Sequence, residues 1–257
     1  MIESSSIRIL TIQHDALCGL DMFETPISDH GVELARTRPY AGDQLPTDCH
    51  FDGVIALGAP FFVWQTDERP WIRQEERFIK EIVETHRLPF LGICFGHQLL
   101  AQAIGANVRA MAGSECGLHP VILNEKGQAD PLFQDIDKIT DCLQWHASEV
   151  ENLPTGVEIL ASSEQCAIQA IRFGEHAYGV QGHFEVGTDT VKNWMSSPIY
   201  ARTFTQASQD QCAKSFYGHL ESREKELRAT AGTLCRNFLE IARQHKSDCS
   251  QLSAKRY

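Results

Sequence analysis

Residues 90–105, FLGICFGHQLLAQAIG, decide the fold. Phe90, Leu91 and Ile93 make a short apolar run, and after Cys94 the apolar residues Leu99, Leu100, Ala103 and Ile104 recur at helical spacing. A buried strand therefore runs through a tight turn into a helix, with a cysteine between two glycines at the junction. In Gly92-Ile93-Cys94-Phe95-Gly96 the small flanking residues let the chain turn sharply and hold the central residue in a strained conformation. Strain of that kind costs about 1 to 3 kcal/mol and tends to persist where it serves function. The same turn sets Cys94 at a helix N-terminus, whose unpaired N–H groups and positive dipole end favour thiolate over thiol. The Phe95 N–H can then help bind an oxyanion. A buried cysteine in a glycine-flanked turn is the alternative that these five residues alone leave open.

Outward from this junction, strands and helices alternate. Strands are predicted at Ile7–Ile12, Val32–Arg36 and Val54–Leu57, with helices at Cys18–Ile27 and Glu68–Thr85. That rhythm implies an α/β fold with a mostly parallel central sheet flanked by helices. From about Val108 the texture changes to short strands at Pro120–Leu123, Thr140–Trp145, Glu158–Ala161, Ala167–Phe173 and Ala177–Gln181, an added mixed or antiparallel section. Beyond Glu185 the pattern is helical, and Leu220, Leu227, Leu234, Phe238 and Ile241 fall on one helix face that suits packing on the core. No repeat or linker divides the chain, so one domain over 1–257 is expected, with a C-terminal helical extension over about 187–257.

Composition narrows the function. The 257 residues are 42% hydrophobic and can bury a substantial core. A net charge of -11, with no basic patch, argues against nucleic acid. The chain lacks a basic start followed by a long apolar region, and no apolar run approaches the roughly 18 residues of a membrane helix. A cytoplasmic protein without membrane contact is expected. The nine cysteines are scattered with no C-x-x-C pair, so apart from Cys94 they read as small reduced residues.

A thiolate needs a base, and an imidazole base needs an orienting group. Gly179-Val180-Gln181-Gly182-His183-Phe184-Glu185 closes an apolar strand with His183 and Glu185 two residues apart, on one face if extended. Cys94, His183 and Glu185 are thus a candidate triad. An H-x-E pair also occurs on surfaces and in metal sites, but no further ligand lies at a compact spacing from it, and no metal or cofactor is expected.

With these residues in place the sequence resembles the class I glutamine amidotransferases, especially the GMP-synthetase-like glutaminase branch with its related γ-glutamyl peptidases. The resemblance covers roughly residues 50 to 186. GICFGHQ at 92–98 is similar to the family's nucleophile elbow, LGAP at 57–60 to its oxyanion loop, and GVQGHFE at 179–185 to its His/Glu strand. SECG at 114–117 and LQWHASEVENLPTGVEILASS at 143–163 are similar to segments that shape the glutamine pocket.

The resemblance implies hydrolysis of a γ-glutamyl amide through a thioester on Cys94, with His183 moving protons and Glu185 orienting His183. It implies an oxyanion hole from the backbone N–H groups of Ala59 and Phe95 and a substrate contact at Gln98. Glu115 is expected to order the pocket loop, and Trp145 and His146 to border the pocket. His97 reads as a structural hydrogen-bonding residue. Ala59 stands where the family usually has glycine, and Q-G-H-F-E at 181–185 replaces a usual Q-F-H-P-E, so Gly182 and Phe184 alter the surroundings of His183. Three functions follow: a glutaminase acting alone or supplying ammonia to a separate synthetase, a γ-glutamyl peptidase, or a non-catalytic regulatory subunit. The chain is too short to hold a synthetase domain as well, so acceptor chemistry belongs to another protein.

Overall fold

The computed structural model describes residues 6–207 and 213–254, which leaves Cys212 outside the described residues. In chain order it contains β1 (Arg8–Ile12), α1 (Glu24–Asp29), β2 (Glu33–Thr37), β3 (Gly53–Ala56), α2 (Trp71–Lys80), β4 (Phe90–Ile93), α3 (Phe95–Ala103), β5 (Asn107–Leu123) and α4 (Glu125–Ala129). There follow β6 (Ile139–Glu151), β7 (Val157–Ser162), β8 (Ala170–Phe173), β9 (Ala177–Val180), α5 (Thr188–Ser196), α6 (Pro198–Ala207) and α7 (Ala213–Ala254).

One nine-stranded sheet has the order β2-β1-β3-β4-β9-β8-β7-β5-β6. The half from β2 to β9 is parallel and the half from β9 to β6 antiparallel, which is the expected α/β sheet with an added section. Because the central parallel strands are covered on both faces, their sequences are apolar throughout rather than alternating. Ile9, Ile55 and Leu91 face one core, which α5 to α7 cover; Leu10, Val54 and Phe90 face the other, under α2 and α3. Leu220, Leu227, Leu234 and Phe238 of α7 are buried as expected, and Ile241 packs beside them.

Several boundaries differ from the sequence-based expectation, among them the end of β6, which runs on to Glu151, and the start of β8 at Ala170. The predicted helix over Glu68–Thr85 begins at Trp71, because Pro70 disfavours helical geometry at the residue before it, and it ends in a π-helical turn over Glu81–His86. The helix predicted over Cys18–Ile27 is a 3-10 turn over Asp21–Phe23 running into α1. The strand predicted at Pro120–Leu123 is the end of a 17-residue strand. Pro120 is tolerated because β5 pairs there with β6 alone, so its missing N–H leaves no ladder bond unmade on the other side.

Candidate active site

The elbow is built by close approach of backbones. Cys94 has φ 51° and ψ -100°, a conformation unusual for a residue with a side chain, between the end of β4 and the start of α3. Three hydrogen bonds hold it: Cys94 N–H to Val180 O at 2.8 Å, Gly96 N–H to Leu57 O at 3.1 Å and Gln98 N–H to Cys94 O at 3.0 Å. A Cβ on Gly96 would lie 2.2 Å from the Ala56 carbonyl oxygen, and one on Gly92 2.4 Å from the Gly96 oxygen. Since the obstacles are backbone atoms, Gly96→Ala is expected to destabilise the fold by about 3 kcal/mol, the upper end for overpacking. A urea midpoint equal to that of the parent chain would contradict this.

His183 lies just beyond β9, where its N–H donates to Leu143 O at 2.7 Å. Its Nδ1 donates to Glu185 Oε1 at 2.8 Å, and both side chains are buried. Nε2 is thereby the nitrogen not engaged by Glu185. A Cβ on Gly58 would fall 2.8 Å from His183 Cε1 and 3.7 Å from Cys94 Cβ, so the loop glycine makes room for imidazole and thiol to meet. The imidazole packs edge-on against Trp194 at 4.9 Å.

Burial opposes a charge on His183, but the Glu185 carboxylate beside it, with Cys94 contributing, lifts its pKa from 6.5 to about 10. The protonated ring is therefore favoured at neutral pH. A folded pKa raised in this way gives stabilisation that is complete below the unfolded value of 6.5 and is lost as pH rises through about 10. The urea midpoint should fall over that window, and this part of the fall should be absent in His183→Gln. An equal fall in both proteins would remove His183 as its source.

The other expected residues divide into wall and support. Gln98, Trp145 and His146 line a cavity of about 60 Å³ together with Cys94, His183, Ala59 and Phe95. The Gln98 amide is committed: its nitrogen donates to Ser148 O at 3.1 Å and Gln181 Oε1 at 3.0 Å, and its oxygen accepts from Ser148 Oγ at 3.0 Å. Glu115 does not line the cavity. It sits behind His146, bonded to His146 Nε2 at 2.9 Å, Ser163 Oγ at 2.7 Å and Gln169 Nε2 at 2.8 Å, so it supports the wall and does not reach into the pocket. Burial pushes its carboxyl up, yet the hydrogen bond and charge of His146 bring it below the ordinary value.

His97 corrects a further expectation. It is buried with no hydrogen bond at either ring nitrogen, and burial lowers its pKa to about 3. Its ring fills space that opens only because Gly179 has no side chain, a Cβ there falling 2.3 Å from Nδ1. Gly182 has a similar packing origin: a Cβ would meet Cys142 Sγ at 2.5 Å. Ala59 is not among the residues with positive φ, so it sits on the loop without strain from its side chain.

Trp194, Tyr200 and Thr203, from α5 and α6, complete the cavity wall and had no motif to announce them. Trp194 stacks on Tyr200 at 5.2 Å, and Trp145 Nε1 donates to Tyr200 O at 3.2 Å. Among the described residues no group of three or more His, Cys, Asp or Glu side chains could hold a metal ion, and no helix is long and apolar enough to cross a membrane.

An α/β sheet that presents a strained cysteine at a strand-to-helix turn, beside a buried imidazole, defines a cysteine hydrolase. Residues 30–196 match the family described as glutamine amidotransferase class-I, and the chain belongs to that family. It is 30% identical to the glutamine amidotransferase-like protein YfeJ of Salmonella typhimurium, over 72% of this chain and 79% of that protein. It is 28% identical to γ-glutamyl peptidase 3 of Arabidopsis thaliana, over 74% and 75%. With the A subunit of the glutamine-hydrolysing GMP synthase of Methanocaldococcus jannaschii it shares 35% identity over 44% of this chain and 62% of that one. Of full-length GMP synthases the match spans 27% to 33%. The crystal structure of a glutamine amidotransferase from Thermotoga maritima superposes with a TM-score of 0.79 at 26% identity, covering 91% of this chain and 98% of that one.

Proposed function

We propose that the chain hydrolyses the side-chain amide of glutamine through a Cys94–His183–Glu185 triad, releasing glutamate and ammonia. The observation that carries the reading is the strained Cys94 at the N-terminus of α3, facing an imidazole that is itself fixed by Glu185. The Cys94 thiolate adds to the γ-carbonyl carbon, and the oxyanion accepts hydrogen bonds from the N–H groups of Ala59 and Phe95. The C–N bond then breaks as protonated His183 gives its proton to the departing ammonia. Water adds to the γ-glutamyl thioester while His183 takes its proton, and glutamate leaves with the thiolate restored. Glu185 keeps the proton on Nδ1, so that Nε2 serves both transfers. No step calls for a metal or cofactor.

The small cavity of about 60 Å³ lined by Cys94 and His183 supports an amide end as its occupant. The likeness to γ-glutamyl peptidase 3 supports the second reading, hydrolysis of γ-glutamyl peptides. The likeness to the GMP synthase A chain, which is a subunit, supports delivery of ammonia to a separate synthetase or acceptor protein. We further propose that 1–257 works as one cytoplasmic domain whose helices after residue 187 close the site.

The test is glutamate release from glutamine, glutathione and γ-glutamyl dipeptides by the purified chain. Slow turnover of glutamine and less of the others is expected. Rapid cleavage of a γ-glutamyl peptide with no glutaminase activity, even with candidate acceptor proteins added, would transfer the assignment to the peptidase reading.

A further inference from the structure

A second buried imidazole–carboxylate pair stands behind the oxyanion loop. His14, just past the end of β1, and Glu75 of α2 are both fully buried, with His14 Nε2 2.7 Å from Glu75 Oε1. His14 Nδ1 lies 2.8 Å from the carbonyl oxygen of Leu57, the residue immediately before Gly58-Ala59. A carbonyl only accepts, so Nδ1 carries a proton, and the proton between Nε2 and Glu75 fixes that tautomer wherever along the bond it resides. The same Leu57 oxygen accepts from Gly96 N–H at 3.1 Å, so one carbonyl ties the oxyanion loop to the elbow.

The ring contacts lead to the same two places. His14 stacks on Trp71 at 5.7 Å and meets the Phe95 ring edge-on at 5.0 Å. Phe61, two residues after Ala59, packs on both Phe95 at 5.3 Å and Trp71 at 5.7 Å. The loop is therefore gripped before Gly58 by a hydrogen bond and after Pro60 by an aromatic cluster, and His14 belongs to both grips.

We propose that His14 and Glu75 are positioning residues that fix the two oxyanion N–H groups, those of Ala59 and Phe95, relative to Cys94. They touch neither substrate nor thiol, so their effect falls on the step that develops the oxyanion and not on the reactivity of Cys94 itself. This rests on the glutaminase reading for its kinetic consequence, but the placement of the loop can be read without it.

The test compares Glu75→Gln, whose amide N–H can still donate to Nε2 and hold the tautomer, with the double variant His14→Phe/Glu75→Met, which keeps a ring on Trp71 and leaves no unpaired buried carboxylate. Three experiments are run on each folded protein: steady-state kinetics for kcat and KM with glutamine, the rate of Cys94 alkylation by iodoacetamide, and amide hydrogen exchange over residues 57–62. The double variant is expected to lose about 10²-fold in kcat, the cost of displacing a reacting group by about 1 Å, with KM changed by less than about twofold. Alkylation, which develops no oxyanion, should be unchanged, exchange in the loop should rise, and Glu75→Gln should resemble the parent. Parent-like kcat and loop exchange in the double variant would overturn the proposal, as would equal losses in turnover and alkylation, which mark general damage to the elbow. A parent chain that hydrolyses no glutamine would defeat the glutaminase reading alone, and loop exchange would still decide the positioning role.

Discussion

Cys94→Ser is expected to leave a folded chain with no measurable glutaminase turnover. Serine is smaller than cysteine and introduces no overlap, and the hydrogen bonds of the elbow, all made by backbone atoms, survive the exchange. What changes is acidity. A serine hydroxyl is far less acidic than a thiol, so the field of the α3 N-terminus and a protonated His183 no longer suffice to hold an anion ready for attack. Circular dichroism and the urea midpoint report the fold, and glutamate release the chemistry. Comparable activity in a folded Cys94→Ser protein would remove Cys94 from the mechanism.

The second large effect separates the members of the buried pair. His183→Ala removes the group proposed to carry a proton to the leaving ammonia, and a loss of about 10²- to 10⁴-fold in kcat is expected. Glu185→Gln retains an acceptor oxygen for His183 Nδ1 at the 2.8 Å position while losing the charge, so its loss should be smaller. Because burial otherwise disfavours the imidazolium, Glu185→Gln should also lower the His183 pKa and move the pH–rate profile in the acid direction. Equal inactivity of Glu185→Gln and Cys94→Ser would give Glu185 a more direct part than orientation.

What could be read from sequence was local. The elbow is legible because a nucleophile between two glycines is a five-residue pattern, although the clash that Gly96 avoids is with the distant Ala56 carbonyl, and His183 and Glu185 are legible because two residues of separation already place them together. The parallel half of the sheet is legible because strands buried on both faces must be apolar. The long-range parts were hidden. Trp194 and Tyr200 wall the cavity from helices about a hundred residues after Cys94, and as aromatic residues on helices they look like any core. His14 is one histidine among eleven until the fold brings Glu75 and the Leu57 carbonyl to it. The partner of Glu115 was hidden, since only the pairing of β5 with β6 sets it opposite His146. The length of β5 was obscured by Gly113, Gly117 and Pro120, which read as turn residues but lie in a strand with a partner on one side for most of its length.

The mechanism requires that one activated thiol among nine cysteines attack a γ-glutamyl carbonyl. The most direct measurement is to treat the intact protein with a glutamine analogue that carries an electrophile at the γ position, then to weigh the protein and map the adduct by peptide mass spectrometry. One adduct per chain, on Cys94, formed more slowly when glutamine is present, is the predicted result. Adducts spread over several cysteines, or a single adduct elsewhere that glutamine does not suppress, would contradict it.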